Sequence, residues 1–168
     1  YKNLLKDFKN VKKRLNKKIG ELESKSLTLG NNLDIDPPTL RLMINSGGGS
    51  ITAGISSMDT ILRCKVPVHT YVDGFCASAA TFISVVGKKR YMSRNSYMLI
   101  HQLSSNFWGK YSEFEDEKQN LDLMMETIKN VYKEYTKVPM RKINEILKHD
   151  LLWDAKTCLK YGLVDEVI

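Results

Sequence analysis

From Thr39 to Ile168 short β-prone runs alternate with helix-patterned ones, and that alternation most narrows what the chain can fold into. Thr39–Asn45 (TLRLMIN) reads as a strand and ends in Ser46-Gly47-Gly48-Gly49. Ser50–Cys64 reads as a helix, with Ile51, Gly54, Ile55, Met58, Ile61 and Leu62 on one face. Val66–Val72 predicts a second strand and Ala77–Val86 a small-residue apolar helix. Arg90–Met92 and Tyr97–His101 bracket Ser93-Arg94-Asn95-Ser96, a hairpin signal. A long helix follows, with a stripe from Phe114 to Tyr135 that suits core or subunit contact. Pro139 opens a helix to about Lys148, Asp154 caps another, Gly162 ends it, and Leu163–Ile168 predicts a closing strand. Strands alternating with helices predict an α/β layered domain.

Ahead of this body lies a different segment. Leu4, Phe8, Val11, Leu15, Ile19 and Leu22 fall on one helical face, with Lys12, Lys13, Lys17 and Lys18 mostly on the other. Such a helix either docks on a membrane or partner, or packs on the domain with its basic face solvated. A polar connection, residues 24–38, leads into the body, and the whole of 1–168 is expected to be one domain, with 39–168 its catalytic body. The net charge of +7 is concentrated at the start. Residues 1–25 carry nine Lys/Arg against three Asp/Glu, leaving 17 against 16 for the rest. A nucleic-acid interface on the body is therefore not expected. Nothing approaches 18 consecutive apolar residues, so no membrane span is expected, and no apolar segment behind a basic start suggests a secretory signal. Three cysteines without a C-x-x-C fit a reducing compartment, cytoplasmic or similar.

Three features carry chemistry. The Gly47-Gly48-Gly49 loop lacks the Lys-Ser/Thr of a phosphate loop and the third glycine of a dinucleotide fingerprint, which leaves backbone N–H groups aimed at an oxyanion as its other use. Ser78, in Gly74-Phe75-Cys76-Ala77-Ser78-Ala79-Ala80, begins a helix; alone it is weak evidence, since serines commonly cap helices. His101 ends the apolar run Tyr97–Ile100; alone it is equally an edge residue. No histidines are spaced to share a metal, and no cofactor or metal is expected.

Together these features resemble the ClpP-type serine proteases. Leu42–Gly54 (LMINSGGGSITAG) resembles that family's Y-I-N-S-P-G-G-S-V-T-A-G segment. Ser78 falls on the serine of its G-M-A-A-S-M-G, and His101 on the histidine of M-I-H-Q. Asp150 through Asp165 (DLLWDAKTCLKYGLVD) is similar to D-x-F-L-[ST]-x-x-E-A-x-x-Y-G-L-[IV]-D, with Asp150 on its first aspartate. The resemblance implies a crotonase-like fold, a twisted sheet of repeated βαβ units with outer helices. It implies a serine endopeptidase with Ser78 as nucleophile, His101 as general base and Asp150 as its orienting acid. Backbone N–H groups of Gly49 and Ala79 would form the oxyanion hole. It further implies a homo-oligomeric chamber of heptameric rings, peptide or unfolded protein as substrate, and an ATP-driven AAA+ unfoldase as partner.

The sequence also departs from the pattern. Gly47 replaces a proline. The family's opening axial segment, helix and strand have no counterpart ahead of Thr39 beyond the basic helix, which counts against the unfoldase partnership. Leu103-Ser104-Ser105-Asn106-Phe107-Trp108-Gly109 replaces a glycine-rich stretch, and Lys148-His149 replaces an Asp-Arg pair that bridges two rings, which counts against stacking. A catalytically silent subunit of a mixed ring is the alternative. An acyl-CoA enzyme of the same superfamily and a Ser-Lys peptidase explain Ser78, His101 and Asp150 less well.

Overall fold

The computed structural model describes residues 13–14, 17–25 and 38–168. Residues 1–37 and 38–168 form two compact units. In the first, residues 17–25 are helical (α1), and Lys17 pairs with Glu21 one turn on at 3.8 Å. Ile19 and Leu22 of the expected apolar stripe are exposed. Leu4, Phe8, Val11, Lys12 and Leu15 lie outside the described residues, as do 26–37 of the polar connection.

The second unit runs β1 (Leu40–Ser46), α2 (Ile51–Leu62), β2 (Val68–Ala77), α3 (Ala79–Val85), β3 (Lys89–Met92), β4 (Tyr97–Leu99), α4 (Tyr111–Tyr135), α5 (Met140–Ile146), β5 (Leu152–Asp154), α6 (Ala155–Lys160) and β6 (Glu166–Val167). The expected α/β alternation is present, with shifted ends. β2 reaches Ala77, Pro139 stands at the N-cap of α5, and the closing strand is two residues long.

β2 organises a mixed six-stranded sheet. On one side it pairs parallel with β1, from Leu40 opposite Val68 to Ser46 opposite Cys76. On the other it pairs parallel with β3 along His69–Val72 and then with β4 along Phe75–Ala77. β6 lies parallel to β3, and β5 antiparallel to β4. The expected hairpin between β3 and β4 is therefore not formed: the two strands succeed each other along β2. The intervening turn is strapped to β2. Ser93 N–H donates to Val72 O at 2.9 Å, and the buried Ser96 Oγ accepts from Gly74 N–H at 2.7 Å and donates to Val72 O at 3.3 Å. Turn-forming residues here step the chain past a kink in β2 without reversing it.

Period-two alternation places Val68, Thr70 and Val72 of β2 in the core, with His69 and Tyr71 on the opposite face. The core continues through Cys76, Met92 and Met98 of the sheet to Phe82 and Val85 of α3 and to Ile128, Val131 and Tyr132 of α4. The stripe on α4 thus divides. Ile128, Val131 and Tyr132 are buried, while Phe114 at its start is exposed. Cys76 and Cys158 are buried and Cys64 is exposed, all as free thiols. Among the described residues no helix is long and apolar enough to cross a membrane.

Candidate active site

β1, β2 and β4 are parallel, so the segments that follow them emerge at one edge of the sheet: Gly47–Gly49, Ser78 and His101. Carboxyl ends of parallel strands are where α/β sheets place their ligands.

Ser78 joins β2 to α3 with φ 55° and ψ −131°, and it is the one non-glycine residue with positive φ among those described. An L-residue held there costs about 1–3 kcal/mol and persists only where its surroundings fix it. One restraint is Ser78 N–H, which donates to Leu99 O in β4 at 2.9 Å. A strained strand-to-helix turn of this kind presents its side chain at the top of the sheet, as nucleophile elbows do. The side chain makes no capping hydrogen bond to α3.

The glycine loop lies directly against this turn. A Cβ on Gly48 (φ +93°) would stand 2.6 Å from Ala77 O and from Ser78 Cβ, and 3.0 Å from Ala79 N. Only glycine allows that approach. Gly48 N–H donates to Ser46 Oγ at 3.2 Å. The N–H groups of Gly49 and Ala79 have no hydrogen-bond acceptor among the described residues. Both residues line one pocket of about 150 Å³, shared with Ser50, Ala53 and Ser57 of α2 and its N-cap and with Ile83 of α3. Gly54 makes room for this packing, since a Cβ there would meet Ala79 Cβ and O at 3.0 Å.

His101 and Asp150 are brought together by strand register. β4 and β5 pair Tyr97 with Asp154 and Leu99 with Leu152. Continued two residues further, the antiparallel ladder sets His101 opposite Asp150. His101 Nδ1 lies 3.5 Å from Asp150 Oδ1, the imidazole mostly buried and the carboxylate mostly exposed. Ser78 Oγ has no hydrogen bond to His101 among the described residues. In enzymes that use such a pair, a hydrogen bond between nucleophile and base is often long or misaligned before substrate binds.

The neighbouring carboxylates have other partners. Asp154 caps α6, accepting from Thr157 N–H at 2.8 Å, and that hydrogen bonding holds its carboxyl below the usual range. Asp165 pairs with Arg90, whose hydrogen bonds lower its carboxyl in turn. Cys76, two residues before Ser78, is not set up as a nucleophile: burial pushes its thiol up to about 12. Among the described residues no three His, Cys, Asp or Glu side chains cluster as metal ligands would.

A sequence model of the Clp proteases matches residues 6–168. The chain belongs to the Clp protease family. It is 30% identical over 131 residues to the ATP-dependent Clp protease proteolytic subunit of Deinococcus radiodurans, covering 77% of this chain and 64% of that one. It is 34% identical over 136 residues to the ATP-dependent Clp protease proteolytic subunit 3 of Streptomyces coelicolor, covering 79% and 63% respectively. The chain thus matches less than two thirds of the length of either relative. Membership brings the crotonase-like fold of the Clp proteases, and β1-α2-β2 and β2-α3-β3 are its βαβ units here. Two residues at the site were not legible beforehand. Thr81 is three residues past Ser78, a spacing that suits a hydroxyl reaching back to a turn carbonyl, and Tyr132 was indistinguishable from the rest of an apolar stripe.

Proposed function

We propose that this Clp protease family member is a serine endopeptidase acting on peptides or unfolded protein inside a homo-oligomeric chamber. The observation that carries the reading is the backbone pairing around β4. It ties the strained Ser78 turn to Leu99 and sets His101 opposite Asp150. Ser78 Oγ attacks the scissile carbonyl as His101 accepts its proton. His101 then delivers that proton to the leaving amine, and water cleaves the acyl-serine by the same route in reverse. Asp150 orients the imidazole and balances its charge. The carbonyl oxygen, negative in the tetrahedral intermediate, receives the free N–H groups of Gly49 and Ala79, each such donor lowering the barrier by about 3–4 kcal/mol. Heptameric rings and an ATP-driven unfoldase partner belong to the same proposal, following the family resemblance.

The missing Ser78–His101 hydrogen bond favours the second reading, a silent subunit of a mixed ring. Intact mass after fluorophosphonate treatment, with oligomer size measured on the same sample, separates the two. The enzyme takes up one adduct, lost in Ser78→Ala with the fold retained. An assembled sample that stays unlabelled, or labels at another serine, refutes the enzyme and leaves the silent subunit.

A further inference from the structure

Tyr132 sits in α4, 51 residues from Thr81 in sequence, and is 1% exposed. Its hydroxyl lies 2.6 Å from Thr81 Oγ1, and Thr81 Oγ1 lies 2.6 Å from Ser78 O. The direction of this chain follows from counting protons. A carbonyl oxygen only accepts, so the one Thr81 hydroxyl proton goes to Ser78 O. Tyr132 O–H is then the donor into Thr81 Oγ1. Thr81 N–H adds a second bond to Ser78 O at 3.0 Å.

Ser78 C=O and Ala79 N–H are the two ends of one planar trans peptide, pointing in opposite directions. Pinning the oxygen therefore aims the N–H. We propose that Thr81 and Tyr132 are positioning residues for the oxyanion hole: their relay fixes the Ser78–Ala79 peptide plane, so that Ala79 N–H faces the pocket before substrate arrives. A buried tyrosine hydroxyl needs some partner in any core. This one ends on the carbonyl of the one non-glycine residue with positive φ among those described. Ser78 N–H is held from β4, so both peptide groups of the strained residue are restrained, one from the sheet and one from α3 with Tyr132 of α4 behind it. The inference rests on the reading of Ser78 as nucleophile and Ala79 as oxyanion donor.

The test uses the full chain and a fluorophosphonate, whose phosphoryl oxygen develops charge as a carbonyl oxygen does. Saturation kinetics of Ser78 labelling separate the maximal rate from the half-saturating concentration. Thr81→Val is expected to lower the maximal rate about tenfold, equivalent to about 1.4 kcal/mol, with the half-saturating concentration unchanged. Thr81→Ser, which keeps the hydroxyl, should restore it. Tyr132→Phe should fall between, because the Thr81 hydroxyl keeps its acceptor and loses its fixed rotor. It also carries the test should Thr81→Val not fold. Hydrogen exchange over residues 77–82 should rise in Thr81→Val and Tyr132→Phe and stay low in Thr81→Ser. Wild-type labelling with unchanged rates in Thr81→Val and Tyr132→Phe overturns this inference alone, as does an equal loss in Thr81→Ser. No labelling of the wild type overturns the enzyme reading and this inference with it.

Discussion

Gly48→Ala is the sharpest perturbation the site offers, because the added methyl presses on the Ser78 turn while leaving every side chain of the candidate triad in place. The new Cβ would sit 2.6 Å from Ala77 O and Ser78 Cβ and 3.0 Å from Ala79 N, two of the three being backbone atoms that no rotamer change can move. Restoring ordinary contact at 3.4 Å asks the loop and the turn to separate by about 0.8 Å. Gly48 also has φ +93°, where an L-residue costs about 1–2 kcal/mol. For a chain of this length each kcal/mol lowers the melting temperature by about 2–4 °C, so a fall of roughly 2–8 °C is expected. The effect on chemistry should be larger, since displacement of reacting groups by about 1 Å can cost about 10²-fold in rate. Gly47→Ala is the control, with nothing within 4 Å of its Cβ and no positive φ. Labelling rates of Ser78 by fluorophosphonate, followed by intact mass, should fall by one to two orders of magnitude in Gly48→Ala and stay near wild type in Gly47→Ala. Wild-type labelling by Gly48→Ala would show that the loop does not press on the turn as described. Equal losses in both variants would show that the loop matters for some reason other than this contact.

Asp150→Asn should cut turnover by up to about 10⁴-fold with little change in melting temperature, by analogy with other Ser-His-Asp triads. Asp154→Ala should do the reverse, lowering the melting temperature through loss of the α6 cap while sparing the rate; swapped outcomes would reassign the acid. Arg90 holds the Asp165 carboxyl below its ordinary range, so this pair stabilises the fold above the unfolded pKa of about 3.9 and loses that contribution as pH falls through the lower folded value. Melting curves across that acid range should be less steep in Asp165→Asn than in wild type, by a small amount because the carboxylate is partly exposed; identical slopes would dismiss the pair. If two rings stack, Trp108, fully exposed beside Phe107, is the expected apolar contact, since Lys148-His149 lacks complementary charge. Light scattering should then show stacking that persists at high salt and is lost in Trp108→Ala; dissociation of wild type by salt, or an inert mutation, would reject the contact.

Local chemistry made the layered fold legible, and its failures have identifiable causes. Ser50 and Asp154 accept from the amides three residues on, as capping residues do, and α2 and α6 begin where they stand. Ser93–Ser96 was legible as a turn, but turn residues specify a local bend and not which strand the chain pairs with next. Here the pairing partner was β2, about 20 residues earlier, and the expected hairpin gave way to two parallel segments. Phe114 and Tyr132 belong to one helical stripe and have opposite fates, exposed and buried, because periodicity gives a face but not how much of its length the core covers. The strain at Ser78 is invisible in composition. It arises only when the Leu99 carbonyl, the glycine loop and Thr81 act on the same turn.

The His101–Asp150 approach depends on a three-residue antiparallel ladder, and such a short ladder is poorly fixed by its own hydrogen bonds. Its register is specified from outside the site. Trp153 pairs with Met98, both point into the core at 8% and 0% exposure, and Trp153 packs on Tyr161 with ring centroids 4.9 Å apart. A slip of one residue would turn Trp153 to solvent, because side chains alternate faces along a strand. It would equally turn Leu152, now exposed, into the core space left behind. Truncating a buried tryptophan costs about 3–5 kcal/mol, far more than a partly exposed carboxylate–imidazole contact contributes. The burial of Trp153 is thus what holds the register that sets Asp150 opposite His101, and the candidate acid–base pair is aligned by a core residue on the other face of the strand.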